Sequence, residues 1–135
     1  MSTAWTCRTN GAIFEPTCVD AIARGPAESG TYQGYVGANP NRLVPECWPQ
    51  SDGGEGLTQV FLLPDQTLDA EVTTEGAPNA ALYLLYNCSI ADSCLDVAPS
   101  KHLVYQNQSG ASEFLYLVLD GPPGLDGYVL DLSIQ

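Results

Sequence analysis

Five cysteines, one histidine and sixteen acidic side chains are the groups in this 135-residue chain whose types and spacing could do chemistry. The cysteines stand at 7, 18, 47, 88 and 94. None forms the C-x-x-C pair of a redox or zinc site. Cys88 and Cys94 enclose SIADS, a polar loop short enough to bring two Cα atoms into disulfide range, so a Cys88–Cys94 bond is expected. Cys18–Cys47 would then tie the first segment to the loop before the first strong strand, leaving Cys7 over. The alternative is Cys7–Cys18 with Cys47 over, so which of Cys7, Cys18 and Cys47 lacks a partner stays open.

Nucleophilic catalysis would need a histidine held beside a nucleophile and oriented by a carboxylate. His102 in SKHLVY is the only histidine, and no G-x-S-x-G elbow accompanies it. A surface role suits it better. Asp69, Glu71 and Asp131 fall on the polar side of alternating strands, where a glycosidase pair could sit but where an ordinary solvated face is the simpler reading. Calcium takes several hard oxygen ligands from loops. Asp52 and Glu55 in SDGGEG, with Asp120 and Asp126 around GPPGL, are the residues such an ion would use. Trp48 in PECWPQ, with Tyr35 and Tyr86, could stack on sugar rings, although Trp48 could equally plug the end of a fold beside Cys47. Asn87-Cys88-Ser89 and Asn107-Gln108-Ser109 match the N-glycosylation pattern, and the match is read as coincidence.

The elements that must position these groups read as strands. TLDAEVTT alternates, with Leu68, Ala70 and Val72 on one face and Asp69, Glu71 and Thr73 on the other. ALYLLY and EFLYLVLD are apolar on both faces, as strands covered on both sides are. GTYQGYVG, LTQVFLL, KHLVYQNQ and YVLDLSIQ complete the set, with Gly/Pro-rich turns between. CVDAIA has room for one helical turn. Short strands at this spacing predict an all-β fold: an antiparallel β-sandwich, jelly-roll-like, with about seven or eight strands.

Composition narrows the class. Hydrophobic residues make up 44% of the chain, enough for one core. Sixteen acids against four bases give a net charge of −12, which repels phosphate backbones and anionic lipid, so no nucleic-acid partner is expected. The longest apolar run is strand-sized, so no membrane insertion is expected. MSTAWTCRTN has neither a basic nor an apolar leader region, whereas the cysteine content suits an extracellular protein. The chain is therefore expected to be a piece of a longer exported precursor, with residues 1–17 as a leader or linker remnant and 18–135 as the domain.

The order of segments resembles the bacterial pre-peptidase C-terminal (PPC) domain family. The matching pieces are GTYQGYV, GEGLTQVFLL, TLDAEVTT, APNAALYLLYNC, ASEFLYLVLDG and GYVLDLSI. The collagen-binding domains of secreted collagenases are related to that family. The cysteines look like those of a disulfide-containing subgroup. The resemblance implies a noncatalytic accessory module of a secreted bacterial protein, located outside the cell or at its surface, whose partner is a polysaccharide or a matrix or surface polymer. The alternative is a structural domain that self-associates or packs on the rest of its parent chain. The Glu-Pro-Asn-type calcium motif of some members is not evident, SDGGEG replaces the aspartate-rich strand entry, and ASEF lacks the Gly-Tyr-Tyr core. Calcium and collagen binding are therefore not carried over.

Overall fold

A computed structural model describes residues 11–34, 55–74, 80–88, 90, 93–120 and 127–135. Among these residues are eight strands and one short helix: α1 (Cys18–Arg24), β1 (Gly30–Gly34), β2 (Glu55–Leu62), β3 (Thr67–Thr74), β4 (Ala81–Leu85), β5 (Cys94–Ala98), β6 (His102–Gln106), β7 (Glu113–Asp120) and β8 (Tyr128–Ile134). They form two four-stranded sheets, ordered β1-β8-β3-β6 and β2-β7-β4-β5. Every pairing is antiparallel. The pairs β4–β5, β3–β6, β2–β7 and β1–β8 nest like one long hairpin rolled into a sandwich, which is jelly-roll order.

Period-two alternation explains the sheet β1-β8-β3-β6. Leu68, Ala70 and Val72 of β3 and Tyr128, Leu130 and Leu132 of β8 are buried, while Asp69, Glu71, Val129 and Asp131 between them are exposed. The sheet β2-β7-β4-β5 instead has apolar residues on both faces. Leu82 and Leu84 of β4, with Leu115, Leu117 and Leu119 of β7 and Val60 and Leu62 of β2, fill the space between the sheets. Tyr83, Leu85, Leu57 and Val118 point the other way and form a second core with Ala21 of α1 and Cys88. All five residues of β4 are fully buried, as a strand covered on both faces requires.

Helix α1 is set by its ends. The Thr17 hydroxyl accepts a hydrogen bond from Asp20 N and donates one to the Asp20 carboxylate. Gly25 closes the helix at φ 87°, its N–H donating to the carbonyls of Ala21 and Ile22, and Pro26 follows. The turn from β2 to β3 is equally local: Gln66 N donates to Leu63 O, Pro64 presets the first corner, and Asp65 takes the left-handed second corner at φ 69°.

Three sequence expectations change. Residues 11–17 are not a loose leader: Ile13 and Phe14 are core residues, and Glu15 exchanges two backbone hydrogen bonds with Leu57. The strand β5 was not expected at all. The disulfide pairing also differs. Cys18 is bonded to Cys88, with a Cα–Cα distance of 5.7 Å. Cys94 is disulfide-bonded as well. Neither Cys88–Cys94 nor Cys18–Cys47 therefore forms. The cause is the docking of α1 on the outer face of the sheet, which carries Cys18 to the buried sulfur of Cys88. Ser93 closes the hairpin loop instead, its hydroxyl donating to Asn87 O and Ile90 O and accepting from Asn87 N.

Candidate functional site

The outer face of the sheet β2-β7-β4-β5 carries the main concentration of aromatic and polar groups, arranged in four rows set by strand register. At one end Glu55, Asp120 and Ala81 lie side by side. Next come Leu57, Val118, Tyr83 and Val97, then Gln59, Tyr116, Leu85 and Cys94. Phe61 and Phe114 form the last row.

The acidic end is buried. Glu55 is 1% exposed and Asp120 is 0% exposed, and the two are directly cross-strand. The Tyr83 hydroxyl donates to Asp120 Oδ2 at 3.0 Å. Desolvation, then the charges of Asp120 and Glu55, push the Tyr83 phenol well above its ordinary range, so it remains a hydrogen-bond donor. Glu55 and Asp120, expected as calcium ligands, are thus brought together, and neither is without a partner. Asp52 and Asp126 lie outside the described residues. Among the described residues no group of three or more metal-ligating side chains converges.

The opposite end is open. Phe61 and Phe114 have ring centroids 4.7 Å apart, tilted by 45°, and Phe114 is 51% exposed. Beside them the Gln59 side-chain amide donates to the Tyr116 hydroxyl at 3.2 Å, and Tyr116 is half-buried. Gln59 itself is buried, so its amide orients the Tyr116 hydroxyl, and the exposed Phe114 ring beside that half-buried tyrosine can stack on a sugar ring. Of the aromatics expected to do this, Tyr86 is exposed just beyond β4, while Tyr35 and Trp48, together with Cys47, lie outside the described residues. Phe61 and Phe114 were missed because their strands are apolar on both faces, so sequence alone does not tell which face is left uncovered.

The second sheet's outer face holds the histidine. His102 Nε2 lies 2.8 Å from Asp69 Oδ1. Ser133 faces Asp69 from the other side, on β8, while His102 is on β6. The carboxylate therefore stands between hydroxyl and imidazole, whereas hydrolysis needs the imidazole in the middle. Glu71 and Asp131 are cross-strand neighbours, and Thr31 Oγ1 donates to Asp131 Oδ1 at 2.8 Å. Both carboxylates are exposed. Asn107, in one of the two glycosylation patterns, is fully buried and cannot accept a glycan in the folded chain. No family model matches this chain, and neither a curated protein nor a solved structure does.

Proposed function

We propose that the chain is a noncatalytic accessory module of a secreted bacterial protein, similar to PPC domains, that binds an uncharged polysaccharide. The observation that carries the reading is the open Phe61–Phe114 row beside the Gln59–Tyr116 pair. Net charge of −12 disfavours anionic polymers, and ring stacking beside a tyrosine hydroxyl suits neutral sugar rings. The eight-stranded sandwich agrees with what the family resemblance implies, but a fold hosts many functions and names none by itself. Secretion is supported by the Cys18–Cys88 bond, since disulfides persist in oxidising compartments. Among the described residues, no helix is long and apolar enough to cross a membrane.

The test is an array of soluble and insoluble neutral polysaccharides, with Phe114→Ala as the control. Phe114 is half exposed, so its truncation leaves the core intact. Loss of one stacking ring should weaken binding by roughly tenfold. Binding that is indifferent to Phe114→Ala, or absent across the array, would overturn the assignment. A structural role, with a second copy or the parent chain as partner, is favoured by one observation: Val19 and Ile22 of α1 are 75% and 50% exposed. Concentration-dependent association that disappears on Val19→Ser/Ile22→Ser would support it.

A further inference from the structure

The geometry points to a redox-latched flap: residues 16–26 fold over the outer face of the sheet β2-β7-β4-β5 and are held down there by the Cys18–Cys88 bond. The neck of this segment is narrow. Glu15 and Leu57 exchange hydrogen bonds of 2.8 and 2.9 Å, and Ala27 N donates to Gln59 O at 2.8 Å. Leu57 and Gln59 are only two positions apart on β2, an edge strand, a separation of about 7 Å. The chain thus leaves the edge of β2, crosses the sheet's face as α1 and returns to the same edge, which is how an Ω-loop closes.

Two things hold the segment down: the disulfide, and the packing of Ala21 and Cys18 on the apolar side chains beneath. A seven-residue helix is too short to persist alone. Ala21 is its only fully buried residue, while Val19 and Ile22 point to solvent. The Arg24–Glu15 ion pair, 3.1 Å long, is partly exposed and joins the flap only to its own neck. Beneath it lie Leu57, Tyr83, Leu85 and Val118. Opening would extend the Phe61–Phe114 platform along β2 and β7, a consequence that rests on the proposed binding role.

Opening requires a dithiol reductant. Its thiolate attacks the sulfur of Cys18, which is half-buried, and the more deeply buried Cys88 leaves as thiolate and takes up a proton. The reductant's second thiol then displaces Cys18, so that two electrons and two protons pass to the protein and the reductant leaves as its disulfide.

Hydrogen exchange by mass spectrometry on the full chain tests this, comparing wild type with Cys18→Ala/Cys88→Ala, which leaves the bond of Cys94 in place. Exchange across 16–26 should quicken by at least tenfold, and trypsin should cut faster after Arg24, while β3, β6 and β8 keep their protection. Unchanged exchange in 16–26, or a loss of protection spread equally over both sheets, would overturn the flap. Polysaccharide binding by Phe114→Ala judges the binding role separately, because that variant leaves the latch untouched.

Discussion

Replacing Asn107 should be among the costliest single polar changes in the chain. Asn107 follows β6, is 0% exposed, and ties the β2–β3 turn to the β6–β7 turn. Its Nδ2 donates to Leu62 O at 3.1 Å, Leu63 O at 3.3 Å and Ala111 O at 2.7 Å. Its Oδ1 accepts from Ser109 N at 3.0 Å and Ser109 Oγ at 2.8 Å. In Asn107→Ala, Ala111 O keeps the Ser109 hydroxyl. Leu62 O, Leu63 O and Ser109 N lose this partner, and each such group costs about 1–3 kcal/mol when buried. Leu63 itself is exposed, so water reaches part of the site. The expected loss is about 3–5 kcal/mol, read from urea unfolding, or roughly 10–15 °C in Tm for a chain of this size. Asn107→Asp keeps the shape but points a carboxylate at three carbonyls. The introduced carboxyl then has a folded pKa above its unfolded value of about 3.9, so that variant should be least stable at neutral pH and recover as pH falls toward that value. A loss under about 1 kcal/mol in Asn107→Ala would refute the reasoning, because it would mean that water replaces the amide at little cost.

Two further outcomes follow from buried tyrosines. A Cβ on Gly34 would lie 2.9 Å from the Tyr128 hydroxyl, which also accepts from Ile13 N and Phe14 N, and 3.1 Å from Ala12 Cβ, so Gly34→Ala should cost about 1–3 kcal/mol in denaturant unfolding, and its added cost should be smaller, though not zero, in a Tyr128→Phe background. Burial raises the phenols of Tyr83 and Tyr128, with Asp120 and Glu55 adding to the first and the Ile13 and Phe14 amides partly offsetting the second. A raised folded pKa means that stability is full below the unfolded value near 10 and falls above it, by up to about 2.7 kcal/mol per pH unit for the two groups. Denaturation midpoints measured from pH 8 to 11.5 should be flat below 10 and drop beyond it; a flat profile to 11.5 would contradict the burial of these hydroxyls.

Where one face of a strand meets solvent, the pattern was legible. The alternation in TLDAEVTT and YVLDLSIQ places every buried residue of β3 and β8 correctly, because one side must be apolar and the other need not be. ALYLLY announces its double burial in the same way. The strand β5 is the converse case. CLDVA is short, carries Asp96, bulges opposite Leu84 and Leu85, and leaves Leu95 exposed. It is a strand because β4 offers it an edge, a tertiary cause that leaves no local period. Ile13 and Phe14 failed for a similar reason, since two apolar residues set no period before they meet the core. The cysteine pairing misled because six positions apart along the chain looked closer than 70. Proximity was decided by where α1 docks, and a seven-residue helix with one buried alanine gives almost no sequence signal of that.

The size of that helix also explains why the site is split. Strands β2 and β7 are each eight residues long, so the outer face of their sheet runs for about 26 Å. Helix α1 spans seven residues, about 10 Å, and is itself about 10 Å wide. However it is turned, it cannot cover four rows of side chains. It lies on the rows of Leu57 and Leu85, where the Cys18–Cys88 bond fixes it, and those residues are 3% and 0% exposed. The Phe61–Phe114 row lies beyond its reach, and Phe114 stays half exposed. A strand apolar on both faces needs a second cover, and α1 supplies it for the middle rows. The half-exposed Phe114 marks one end of an aromatic strip that would lengthen toward Tyr83 if the proposed flap opened.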